Sequence, residues 1–173
     1  MTERPVSNVI RGTIFVRNLE RSKAFYQALG FIETYIEIEL EHPSATSIIG
    51  FAEHYPFRVA ILKPPGPNFG MVGLFELDPR QKAESLPVAE GPARIGEVAL
   101  VFYVADMMGT LTKLRASGAS WSPEPEAFRM EHRSQLEVCL RDPDGVLLNL
   151  VETDPAEQER ERPELDYVEK SDG

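Results

Sequence analysis

The alternation of apolar and polar positions along the chain produces one short pattern twice. Arg11-Gly-Thr-Ile-Phe-Val-Arg-Asn18 and Ala99-Leu-Val-Phe-Tyr-Val-Ala-Asp106 each read as a strand that runs into an Asn or Asp suited to capping a helix. The helices that follow carry Leu19, Phe25, Tyr26 and Leu29 in the first copy and Met107, Leu111 and Leu114 in the second, and close at Gly30 and Gly118. Arg11 and Ala99, Val16 and Val104, Asn18 and Asp106, and Gly30 and Gly118 all stand 88 residues apart. A strand, a cap and a helix stop held in one register mark a duplicated unit.

Around these anchors the pattern predicts further strands. In the first copy residues 31–40, 44–51 and 57–62 are rich in β formers; Pro64-Pro65-Gly66-Pro67 then forces a break before a closing strand over 71–77. In the second copy a strand around Ser120 precedes an irregular piece with Pro123 and Pro125. A hairpin of 135–140 and 146–152 then turns at Asp142-Pro143-Asp144-Gly145. The expected class is α+β: two paired βαβββ modules form a curved, mostly antiparallel sheet around a cleft, with the helices on the outer face. The modules are placed at 1–77 and 97–153, joined by a Pro- and Gly-bearing linker at 78–96 and followed by an acidic tail at 154–173, the whole making one compact domain.

Charge narrows the partners. The chain has 173 residues and a net charge of −10, and residues 154–173 hold eight acids against three bases, so half of that charge sits in the tail. Such a chain is repelled by phosphate backbones and anionic membranes, and no basic patch offsets this; neither nucleic acid nor a membrane is expected as a partner. No stretch approaches the roughly 20 apolar residues of a membrane span, and the start lacks the order of a signal peptide, so a cytoplasmic location is expected. The single cysteine, Cys139, reads as a small apolar strand residue.

The sequence also lacks several chemistry-bearing motifs. It contains neither His-Glu-x-x-His nor Cys-x-x-Cys, and no Gly-x-Gly-x-x-Gly, phosphate loop or Gly-x-Ser-x-Gly elbow. His42, His54 and His132 fall in loops or at strand edges, where a solvated histidine is the ordinary reading. Trp121 and Phe128 flank the Pro-containing segment, where they read as core or as an aromatic lid.

Val16-Arg-Asn-Leu-Glu-Arg-Ser22 with Phe25-Tyr26 and Leu29-Gly30-Phe31, then Val104-Ala-Asp106 with Gly118, then Asp142-Pro-Asp-Gly145 together resemble the vicinal oxygen chelate superfamily. That superfamily includes glyoxalase I, fosfomycin and bleomycin resistance proteins and extradiol dioxygenases. The resemblance covers residues 9–152 and implies paired modules, a U-shaped cleft and a homodimer or an equivalent internal pairing. It also implies one divalent metal, bound from the start of the first strand and from the last strand of each module and acting as a Lewis acid. Those positions map to Arg11, Ala99, Glu76 and Asn149, of which only Glu76 retains a usual ligand type. An arginine stays protonated and an alanine offers no donor, so the expectation is no metal and no other cofactor. A divalent metal held through Glu97, His54 or His132 is the alternative.

Strand alternation places Arg11 with Thr13 and Phe15, and Ala99 with Val101 and Tyr103. Leu74 and Val72 are assigned with Glu76, and Leu147 and Val151 with Asn149. The expected ligand-binding set is therefore Arg11, Thr13, Phe15, Leu74, Glu76, Ala99, Val101, Tyr103, Leu147 and Asn149, a mainly apolar cleft with few polar points, as small-molecule sites have. Three readings stay open. The first is metal-independent binding of a small, largely apolar or anionic molecule, with Arg11 replacing the metal's charge; the second is a metal-dependent lyase, isomerase or dioxygenase of the same superfamily; the third is a structural or interaction protein whose cleft is filled by an Arg11–Glu76 ion pair.

Overall fold

Asn18 begins the first helix as its side chain requires. It is extended, at φ −149° and ψ 109°, and its side-chain oxygen accepts from the Arg21 N–H; Asp106, at φ −140° and ψ 99°, accepts likewise from Gly109. A computed structural model describes residues 6–86, 92–130 and 134–159. The first copy runs β1 (Arg11–Val16), α1 (Leu19–Leu29), β2 (Glu33–Leu40), the one-turn α2 (Ser44–Ser47), β3 (Phe57–Lys63) and β4 (Met71–Glu76). The second runs β5 (Ala99–Val104), α3 (Met107–Ala116), β6 (Glu126–Arg129), β7 (Ser134–Arg141) and β8 (Leu147–Glu152). Gly30 at φ 124° and Gly118 at φ 89° leave the helices through conformations that a side chain would resist.

Each copy makes a four-stranded mixed sheet, in the orders β1-β4-β3-β2 and β5-β8-β7-β6. The first strand pairs in parallel with the last, and the remaining pairs are antiparallel. The fold is α+β, with α1 and α3 on the outer face of the curved sheets.

One expected strand is replaced and another is displaced. Residues 44–51 begin with a helical turn: the His42 ring nitrogen accepts from the Ser44 N–H, the Thr46 hydroxyl donates to the Pro43 carbonyl, and Ala45 and Ile49, four apart, both pack on Phe57, Val59, Ile61 and Met71. The strand expected around Ser120 forms later, as β6, past Pro123 and Pro125, whose missing N–H groups keep that stretch out of a ladder.

One core serves both copies. Ile14, Val16, Leu62 and Leu74 of the first sheet and Val104, Leu140, Leu148 and Leu150 of the second meet α1 and α3 through Leu19, Phe25, Tyr26, Met107, Leu111 and Leu114. Phe31 meets Phe102 edge to face at 5.3 Å. The turn at 142–145 ties the copies further: the buried Tyr26 hydroxyl donates to Asp142 at 2.9 Å, and Asp144 accepts from the Ser22 hydroxyl and the Arg17 N–H. Among the described residues no helix is long and apolar enough to cross a membrane.

Candidate functional site

In-register partners on neighbouring strands share a face, so the pairings determine which residues lie away from the helices. Arg11, Thr13 and Phe15 pair with Met71, Gly73 and Phe75, and Ala99, Val101 and Tyr103 pair with Leu147, Asn149 and Val151. β7 adds Glu137, Cys139 and Arg141 to the same face. Phe15, Val101 and Phe128 stand about half exposed there, at 45%, 57% and 50%.

Two expected residues lie elsewhere. Leu74 is fully buried in the shared core, and Glu76, which pairs with Val16, points to the helix side with Val72. There the Glu76 carboxylate accepts from the Leu19 N–H at 2.8 Å and faces Arg58 at 3.6 Å. An Arg11–Glu76 pair is therefore excluded by geometry. The mismatch arises because Asn149 corresponds by register to Gly73, each lying beside the third residue of its first strand, whereas the counterpart of Glu76 is Glu152. Glu152 accepts from the Met107 N–H at 2.9 Å, which repeats the helix-start contact.

Arg11 lies along its own strand. Its Nε donates to the Thr13 hydroxyl at 3.2 Å, and its guanidinium stands 5.8 Å from the centre of the Phe75 ring. Phe75 meets Phe15 edge to face at 6.0 Å. Gly73 makes room: a Cβ there would stand 3.2 Å from Arg11 Cδ and 3.3 Å from the Phe75 ring. Among the described residues Arg11 has no carboxylate partner.

On the second sheet Asn149 Nδ2 donates to Glu137 at 3.2 Å and reaches Cys139 Sγ at 3.6 Å, while Gln135 donates to the other Glu137 oxygen at 2.6 Å. Glu137 directly faces Glu126 across the β6–β7 ladder. Glu97, the shifted alternative to Ala99, is held by Arg141 at 2.6 Å, and that guanidinium together with the Arg94 N–H keeps the Glu97 carboxyl below its ordinary range. Trp121 packs on the core under Arg115 at 4.4 Å. A depression of about 390 Å³ is lined by Phe51, Tyr55, Arg80, Gln81 and Lys82, and none of the residues named on this face lines it.

The donor set does not suit a divalent metal. Once Gly73 replaces Glu76 by strand register, the four ligand positions hold Arg11, Gly73, Ala99 and Asn149, and they supply one weak amide oxygen. His54 is occupied between the Thr46 hydroxyl and the Glu41 carbonyl, and His42 bonds Ser44. His132 lies outside the described residues. Among the described residues no three His, Cys, Asp or Glu side chains gather into a metal-holding group. Sequence reasoning missed Gly73, Phe75, Glu137 and Glu152; counting both closing strands in one register would have found the first and the last.

Comparison with known proteins gives a concordant result. The family model of the Glyoxalase/Bleomycin resistance protein/Dioxygenase superfamily matches residues 8–150. Among solved structures, a glyoxalase family protein from Bacillus cereus is 19% identical, with 88% of this chain and 97% of that chain covered, at a TM-score of 0.72. The glyoxalase family protein from Enterococcus faecalis is 20% identical over 84% of this chain and 97% of that one, at 0.53. A glyoxalase I mutant from Zea mays is 15% identical over 84% of this chain and 44% of its own, at 0.56. At these identities the likeness shows the fold alone. No curated protein matches the chain.

Proposed function

The chain belongs to the Glyoxalase/Bleomycin resistance protein/Dioxygenase superfamily, and within it we propose a protein that binds a small, largely apolar or anionic molecule on the open face of its sheets without a divalent metal. The observation that carries this reading is the donor set: the four positions suited to metal ligands hold Arg11, Gly73, Ala99 and Asn149. A guanidinium at one of these positions opposes a second cation. Phe15 and Phe75 on the first sheet and Val101 and Tyr103 on the second supply apolar surface of the kind on which small molecules are held.

The experiment is binding of the neutral apolar dye Nile red to protein purified from metal-supplemented culture, with metal analysis of the same sample. Saturable binding that a chelator leaves unchanged is the expected result. Stoichiometric iron, manganese, nickel or zinc, or binding abolished by the chelator, would overturn the reading. Half-exposed Phe15, Val101 and Phe128 also favour a second copy as a partner on this face. Sedimentation equilibrium is expected to give a dimer mass, and a monomer at all concentrations would contradict it.

A further inference from the structure

We infer that Arg11 is an oxyanion clamp, so that the ligand taken by the open face carries a carboxylate next to an apolar or aromatic body, and that Gly73 is the residue permitting this specificity. The inference rests on the reading that this face binds small molecules. Its first support is how the arginine is held. The Nε–H is used on Thr13 Oγ1 at 3.2 Å, and the guanidinium lies 5.8 Å from the Phe75 ring centre, so the stem is braced from two sides. The two terminal nitrogens remain, and they are the fork that matches a carboxylate.

The second support is what does not reach them. Glu76, the carboxylate nearest in sequence pattern, is on the opposite face and is engaged by the Leu19 N–H and Arg58. No other carboxylate among the described residues pairs with Arg11, although the whole chain carries a net charge of −10. The terminal nitrogens of Arg11 thus stand beside the Phe75 ring with no carboxylate of the described chain to neutralise them.

The third support is Gly73. Its in-register neighbour is Thr13, the residue that braces Arg11, and the arginine stem crosses directly over it. A Cβ at this position would come within 3.2 Å of Arg11 Cδ and 3.3 Å of Phe75 Cε1, tighter than ordinary contact, so a side chain here pushes the arginine stem or the ring aside by a few tenths of an ångström. Phe75 lies 5.8 Å from the guanidinium and meets Phe15 edge to face at 6.0 Å, and this pair accounts for the apolar body of the ligand.

The test uses two dyes on the full chain: anionic 1-anilinonaphthalene-8-sulfonate and neutral Nile red. Arg11→Gln is expected to weaken the sulfonate dye roughly tenfold or more, the loss of a charge-assisted fork, and to weaken the neutral Nile red by a clearly smaller factor. Arg11→Lys restores part of the affinity through charge without the fork. Gly73→Ala weakens the sulfonate dye with Arg11 still present. Benzoate displaces that dye from the wild type, and benzyl alcohol does not. If Nile red binds but Arg11→Gln leaves the sulfonate dye unchanged, or weakens both dyes equally, the clamp is overturned and the binding reading stands. If neither dye binds the wild type, the binding reading itself falls.

Discussion

Tyr26 and Asp142 form a buried contact between the two copies. The Tyr26 hydroxyl, on a side chain with no exposure, donates to Asp142 Oδ2 at 2.9 Å, and the other carboxylate oxygen accepts from the Asp144 and Val146 N–H groups. Burial pushes the Asp142 carboxyl above its ordinary value of 3.8, and the Val146 N–H, the Tyr26 hydroxyl and the Asp144 N–H oppose that rise. Tyr26→Phe removes one donor and leaves Oδ2 unsatisfied in a dry site. It is expected to cost about 1–3 kcal/mol in urea unfolding near neutral pH. The pH dependence follows from the sign of the shift. A carboxyl raised on folding contributes stability that is complete below 3.8 and is lost as pH rises through the folded-state value. Asp142→Asn keeps acceptor capacity but cannot ionise, so the stability of the wild type relative to this variant is expected to fall as pH rises through that window. A difference that is flat with pH would show that Asp142 ionises alike in both states.

At the scale of elements, the ends of β4 and β8 start the helices. Glu76 accepts from the Leu19 N–H and Glu152 from the Met107 N–H, which satisfies in each helix one of the donors its first turn leaves unpaired and places negative charge at the positive end of the dipole. Glu152→Ala is expected to cost about 1–2 kcal/mol, with Glu152→Gln losing less because its oxygen can still accept. Glu76→Ala is expected to cost at least as much, since Arg58 also loses a partner. Urea midpoints of the three variants check the order. The caps Asn18 and Asp106, the glycine stops and the strand alternation were readable from sequence because each is a local signal. Glu76 was not: it was chosen for its residue type, and lying three positions from Gly73 it faces the other way. Which face a strand presents to the cleft follows from its pairing, and only the duplicated register carries that information. Residues 44–51 follow a related rule, since Ile48 and Ile49 favour a strand locally while the packing of Ala45 and Ile49 against the cluster of Phe57, Val59, Ile61 and Met71 selects a helical turn.

For the whole molecule, the shared core decides how the two copies unfold. Leu19 of α1 and Leu111 and Leu114 of α3 belong to one buried cluster that includes both sheets, and Asp144, nearly buried in the second copy, holds Ser22, Arg17 and Arg21 of the first. Exposing either sheet's helix-covered face would strip apolar surface from the other, so neither copy keeps a complete core alone. The copies are therefore expected to unfold together. The single tryptophan, Trp121, lies in the second copy against that core and reports on it by fluorescence, whereas far-ultraviolet circular dichroism reports on both copies. Leu19→Ala, a fully buried change confined to the first copy, is expected to cost about 2–5 kcal/mol and to move the Trp121 midpoint in urea as far as the dichroism midpoint. If the dichroism midpoint moves while Trp121 keeps its wild-type transition, the copies unfold separately and the core is shared only as contact between independent units.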